Sequence, residues 1–133
     1  MERDGLVTIA SSHTPVVTID RLMSALDAKG ITVFARIDHA AGAASVGTAL
    51  RPTTVVIFGN PAAGTPLMQS DQRIGLDLPL KALVWEDANG QTWLTYSNPA
   101  WLVERYGLGD EAKPVAGRLA SVLVGLAAAA TSP

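Results

Sequence analysis

Seven residues at 53–59, TTVVIFG, are apolar on both faces of an extended chain. A strand of that kind belongs inside a sheet, with a neighbour on either side. The rest of the sequence arranges itself round it. Residues 5–12, GLVTIASS, and 31–39, ITVFARIDH, supply two further strands. In the second, Ile31, Val33, Ala35 and Ile37 alternate with Thr32, Phe34, Arg36 and Asp38 on opposite faces. Residues 77–97 read as a hairpin turning at Asn89-Gly90, the dipeptide best suited to positive φ. Its first arm sets Leu78, Leu80, Ala82 and Val84 against Asp77, Pro79, Lys81, Leu83 and Trp85.

Helices are expected between and after these strands. Thr18 is positioned to cap one in which Ile19, Leu22, Met23 and Leu26 recur at helical spacing, and Gly30 ends it. Residues 40–47 form a small-residue connection with room for one or two helical turns. Asn98-Pro99 opens a short helix through Arg105, stopped at Gly107. Asp110 is expected to cap the last helix, whose stripe is Val115, Leu119, Val122, Leu123 and Leu126. The resulting order, β-α-β-β-β-β-α-α, implies an α+β chain with helices gathered on one face of a largely antiparallel sheet.

Composition narrows the function. With 133 residues the chain suits one domain, 1–133, with a real core. A net charge of −2 with both signs scattered argues against a nucleic-acid binder, which would show a basic stripe. The chain has no cysteine, which excludes disulfides, thiolate metal sites and a cysteine nucleophile. The N-terminus lacks the apolar core of a signal peptide. The longest apolar tract, Leu119 to Ala130, is shorter than the roughly 20 residues of a membrane span. A cytoplasmic protein with no membrane partner is the expectation.

The run TTVVIFGNPAAGTP raises the question of a phosphate-gripping loop. Gly59 and Gly64 have the separation of a Walker A motif, but Thr65 stands where its lysine must be and Pro66 where its hydroxyl must be. Both chemical groups are missing, so that motif is rejected. Either Asn60 with Pro61 or Thr65 with Pro66 caps a helix here, and a helix N-terminus holds an anion without a lysine if its amides are bare.

Three segments carry a family resemblance: FARIDHAAGA (34–43), LRPTTVVIFGNPAAGTPLMQ (50–69) and IGLDLPLKALVWED (74–87). They resemble the bacterial and archaeal family called domain of unknown function 302, over nearly the whole chain and in the same order. The resemblance implies a β-α-β4-α core shaped like half of the TATA-binding protein, often paired as a homodimer, with no established activity. The positions that match its motifs are His39, Arg51, Asn60, Pro61, Gly64, Thr65, Asp77, Pro79 and Lys81, and none carries an assigned role. Likeness of fold does not transfer DNA binding.

Candidate chemistry is sparse. His39 offers an imidazole, the side chain suited in general to proton transfer, but Asp38 beside it on a strand points to the other face. Arg51 suits a carboxylate or a phosphate, whether an internal acid such as Asp38 or Asp77 or a ligand. Lys81 is a nucleophile only if desolvated, and otherwise covers a half-solvated sheet face with its stem. His13 and His39 show no ligand spacing, so no metal is expected, and no cofactor is identified.

The face holding Phe34, Arg36, Lys81, Leu83, Trp85 and Trp93 mixes aromatic and basic groups, as interfaces do. The expectation is therefore a homodimer closed over this face that binds a small molecule or a partner protein, any ligand being a small anion near Gly59–Thr65 with His39, Arg51 and Lys81 as polar groups. The alternative is a small hydrolytic or proton-transfer enzyme using His39 with Arg51 or Lys81.

Overall fold

The computed structural model describes residues 2–133. Its strands are Glu2–Arg3 (β1), Leu6–Ala10 (β2), Thr32–Asp38 (β3), Thr53–Gly59 (β4), Leu80–Glu86 (β5) and Thr92–Ser97 (β6). Its helices are Pro15–Ala28 (α1), His39–Ser45 (α2), Pro61–Ser70 (α3), Pro99–Arg105 (α4) and Lys113–Thr131 (α5). The strands form one six-stranded sheet in the order β1-β2-β6-β5-β4-β3, antiparallel at every pairing. β4 lies between β3 and β5, the interior place its two apolar faces demand. The fold is α+β, as expected.

One face of the sheet carries the core. Val56 and Phe58 of β4, Ala82 and Val84 of β5 and Leu94 of β6 are buried there. Ile19, Leu22 and Leu26 of α1 and Leu119, Leu123 and Leu126 of α5 belong to the same buried cluster. α1 and α5 pack along each other above it, and α3 and α4 lean on α5. The stripe of α5 is completed by Ala116, Ala127 and Ala130, small residues that let the helix approach closely.

Several local expectations need correction. Thr14, not Thr18, caps α1; its Oγ1 accepts from the amide of Val17. Thr18 is wholly buried and hydrogen-bonded to Ser11 through their hydroxyls at 2.7 Å, so its place is structural. Asp110 does not cap α5. It begins a 3-10 turn, residues 110–112, and pairs with Lys113 at 2.9 Å. Together that turn and α5 run for 22 residues, and an 18-residue window within them reaches a mean hydropathy of 1.5, enough by length and composition to cross a membrane. Counting the apolar tract alone underestimated it. In this fold its stripe lies in the core.

A β-bulge between Val33 and Ala35 overturns the alternation expected for β3. Val33 pairs with Phe58 on the core side, but Ala35 pairs with Ile57 and Ile37 with Val55 on the opposite face. Arg36 pairs with Val56 and so leaves the open face. The bulge residue itself, Phe34, turns over the end of β4.

The open face is covered by none of α1, α3, α4 or α5. It presents Val55, Ile57, Lys81, Leu83, Trp85 and Trp93, with Leu6 and Ile37 towards its edges, 46% and 43% exposed.

Candidate functional site

The Asn-Pro corner forms because β4 ends at Gly59 and α3 starts one residue later. Asn60 is the cap: its Oδ1 accepts the amide of Ala62 at 2.9 Å. Pro61 at the first helical position has no amide hydrogen to satisfy. The amides of Ala63 and Gly64 both donate to the carbonyl of Asn60, at 2.9 and 3.2 Å. Every amide of the first turn therefore has an acceptor within the chain. The bare amides expected for an anion are absent from this corner. Thr65 with Pro66 starts nothing, because α3 continues through Pro66 to Ser70.

What the corner does build is a cleft of about 250 Å³. Gly59, Asn60, Pro61, Gly64 and Thr65 line one side of it. Leu78, Pro79 and Leu80 line another, and Met68 and Leu119 lie among the lining residues. Phe34, set aside by the bulge, contributes its ring, and no charged side chain takes part. Two glycines keep the space open. A Cβ on Gly59 would lie 3.5 Å from Pro79 and 3.7 Å from Phe34, and one on Gly64 would lie 3.7 Å from Leu78.

A polar network holds the Leu78–Pro79 wall in place. The segment begins with Asp71, whose carboxylate caps a 3-10 turn at residues 72–76 and pairs with Arg73 at 2.7 Å. The hydrogen bond from Arg73 holds the Asp71 carboxyl below its ordinary range. At the other end the Tyr106 hydroxyl donates to the Asp77 carboxylate, and Arg105 lies 3.7 Å from the same oxygen. That bond to Asp77 is the main cause raising the Tyr106 phenol above its usual value. The Arg105 guanidinium also lies over the rings of Trp101 and Tyr106, at 5.6 and 5.7 Å. Asp77 thus ties the cleft wall to the end of α4. The Leu78-Pro79 peptide is cis.

The candidate residues divide into two groups. Asn60, Gly64 and Thr65 are at the cleft. Lys81 stands at its border, exposed, with its ammonium donating to the carbonyls of Pro79 at 3.1 Å and Asp77 at 3.5 Å. It shares the open face with Ile57, two residues before Gly59.

His39 and Arg51 are elsewhere. His39 opens α2 just after β3, and Arg51 precedes β4, so both sit at the end of β4 opposite the cleft. Seven strand residues separate the ends, roughly 20 Å. The His39 ring is exposed and forms no hydrogen bond among the described residues. Arg51 donates to the carbonyl of Glu86 at 3.2 Å, so neither Asp38 nor Asp77 is its partner. Asp38 caps α2 through the amide of Ala41. His13 donates from Nε2 to the carbonyl of Ser132, at the end of α5. The convergence that an enzyme built on His39 requires is not formed.

Reading the residues alone missed Phe34, Met68, Leu78 and Leu119 as cleft residues. No local signal marks the bulge that redirects Phe34. Leu78 was assigned to a strand face, and its neighbour Pro79 was the available hint that the strand starts later.

Comparison with known proteins adds three findings. A family model described as "Domain of unknown function DUF302" matches residues 7–126. Two curated relatives named "Fluoride-specific ion channel FluC 1", from Brucella suis biovar 1 and Brucella abortus biovar 1, are each 51% identical over 105 residues. Those residues are 79% of this chain but only 41% and 39% of the relatives, so the chain spans about two fifths of their length. The crystal structure of an uncharacterized conserved DUF302 protein from Bacillus stearothermophilus matches with a TM-score of 0.84 at 21% identity. The match covers 95% of this chain and 98% of that one. At that identity the likeness concerns the fold.

Proposed function

The chain belongs to the DUF302 family, a domain of unknown function, and on that premise we propose that it is a small-molecule-binding module whose site is the cleft at the Asn60 corner. The supporting observation is the lining. Phe34, Met68, Leu78, Pro79 and Leu119 present carbon to a space kept open by two glycines. Clefts of this composition bind apolar bodies, and a few polar groups at the mouth set their orientation. A free inorganic anion is a poor fit, since every first-turn amide is already bonded. The enzymatic alternative has no geometric support while about 20 Å separates His39 from the cleft.

Titration with 1-octanol, followed by amide NMR shifts, tests this reading. The expected shifts fall at residues 59–68 and 78–80 and saturate with one ligand per chain. Shifts spread evenly over the sheet, or none at millimolar octanol, would remove the cleft as a binding site.

The module works as a pair of chains joined through the apolar part of the open sheet face, around Leu83, Trp85, Trp93 and Ile37, which leaves Lys81 at the start of β5 outside the contact. Its indole donors are satisfied within the chain: Trp85 Nε1 donates to Thr95 Oγ1, and Trp93 Nε1 to Asp87 Oδ2, both at 2.9 Å. The two stacked rings, 6.2 Å apart, are thereby left to offer carbon outward. Apolar faces of this extent are uncommon on monomers.

The relatives named as fluoride channels suggest a setting. Conduction is assigned here to the part of those proteins that this chain does not span, and ligand response to the shared part. Fluoride itself would meet no free donor at the corner, which is why the shared part is read as an accessory.

A further inference from the structure

The geometry points to a carboxylate as the head group of the cleft ligand, held by Lys81. This inference rests on the cleft being a binding site and adds the chemical class of what it takes. Three observations carry it.

Lys81 stands outside the lining but directly beside it, whereas His39 and Arg51 lie at the far end of β4. Its ammonium bonds the carbonyl of Pro79, and Pro79 is itself part of the lining. Along the open face it lies opposite Ile57, two residues before Gly59, which lines the cleft close to Phe34.

That ammonium has no acid of its own. Lys81 forms no ion pair among the described residues, and both its acceptors are neutral carbonyls. The nearest carboxylate in sequence, Asp77, is turned to Tyr106 and Arg105. An ammonium has three donors, so at least one remains for a ligand. A charged acceptor is the partner that gains most from it.

The space suits a short apolar tail. A dry cavity of about 150 Å³ admits benzene, so the 250 Å³ present here holds roughly ten carbons at similar packing. The ligand class is therefore a medium-chain or aryl carboxylate, with its tail between α3 and the Leu78–Pro79 wall. Inorganic anions lack the tail, and alcohols of the same length lack the charge.

The test compares octanoate with 1-octanol by calorimetry on the wild type, Lys81→Gln and Gly64→Leu. Lys81 is exposed on a strand, so its glutamine variant keeps the fold. Gly64 is not in the positive-φ region, and leucine there improves helix propensity while filling the cleft. The expectation is that octanoate binds the wild type about tenfold more tightly than octanol, as one added charge-assisted bond warrants. Lys81→Gln should remove that difference and leave octanol unchanged, and Gly64→Leu should abolish both.

Equal binding of acid and alcohol by the wild type, with Lys81→Gln unchanged, would overturn the head-group assignment and leave the cleft standing. Binding of neither ligand, or binding that survives in Gly64→Leu, would overturn the cleft and this inference with it.

Discussion

Trp93 donates its indole N–H to Oδ2 of Asp87 at 2.9 Å, while Oδ1 of the same carboxylate accepts the amides of Asn89 and Gln91. One carboxylate thus closes the β5–β6 turn and fixes a ring of the open face. These bonds, that from Trp93 foremost, hold the Asp87 carboxyl below its ordinary 3.8. Because the folded value is depressed, the stabilisation is present in full above 3.8 and is lost as pH falls through the folded value. Urea unfolding at several pH values should show this decline. Asp87→Asn, which faces the indole N–H with a donor or turns it onto the amides, should be less stable near neutrality and closer to wild type at the acid end. Parallel curves for the two proteins across that range would disprove the role given to Asp87.

The corner at Asn60 makes a separate prediction. Since its Oδ1 satisfies Ala62, Asn60→Ala should cost about 1 kcal/mol of stability, with aspartate or serine restoring most of it. Because no first-turn amide remains free, phosphate should raise the melting temperature no more than sodium chloride at equal ionic strength. Specific protection by phosphate would restore an anion to the corner.

How far these features could be read in advance depended on how local their causes are. β4 was legible because its apolar run is self-sufficient evidence for an interior strand, and the Asn60-Pro61 and Asn98-Pro99 caps because their chemistry is contained in two residues. By the same logic β1 was readable and was missed. Asp4 and Gly5 both take positive φ, 54° and 79°, and close a two-residue hairpin. At Asn89-Gly90 the opposite happened: only Gly90 takes positive φ, inside a longer turn organised by Asp87. The bulge at Phe34 was not readable. It depends on how β3 registers against β4, and it moves Arg36 off the face where alternation had put it. The separation of His39 from the corner is likewise a product of strand pairing, which motif residues do not encode individually.

The open face should make the protein a dimer. Light scattering after size exclusion at micromolar concentration is expected to give twice the chain mass of 13.8 kDa. Ile37 lies on that face, on the edge strand β3, and is 43% exposed. Ile37→Glu should therefore give the single-chain mass with a fold stability within about 0.5 kcal/mol of the folded monomer. A monomeric wild type would refute the pairing, and a dimeric Ile37→Glu would move it to another face.

Fluoride conduction provides the last prediction, and α5 is the reason it is worth making. The stretch Asp110–Thr131 is long and apolar enough to cross a membrane, by length and composition. To enter a bilayer, however, α5 would have to leave Leu22 and Leu26 of α1, beside which Leu119, Leu123 and Leu126 are buried. Exposing a buried leucine to water costs about 1.5–3 kcal/mol, and several would be exposed on α1 and the sheet at once. Transfer of α5 to lipid regains its own burial but not theirs. The folded chain should therefore stay out of the membrane. Added to fluoride-loaded liposomes, it should leave the efflux read by a fluoride electrode at the level of empty liposomes. Efflux that rises with the amount of protein would place conduction in this chain and end its reading as an accessory module.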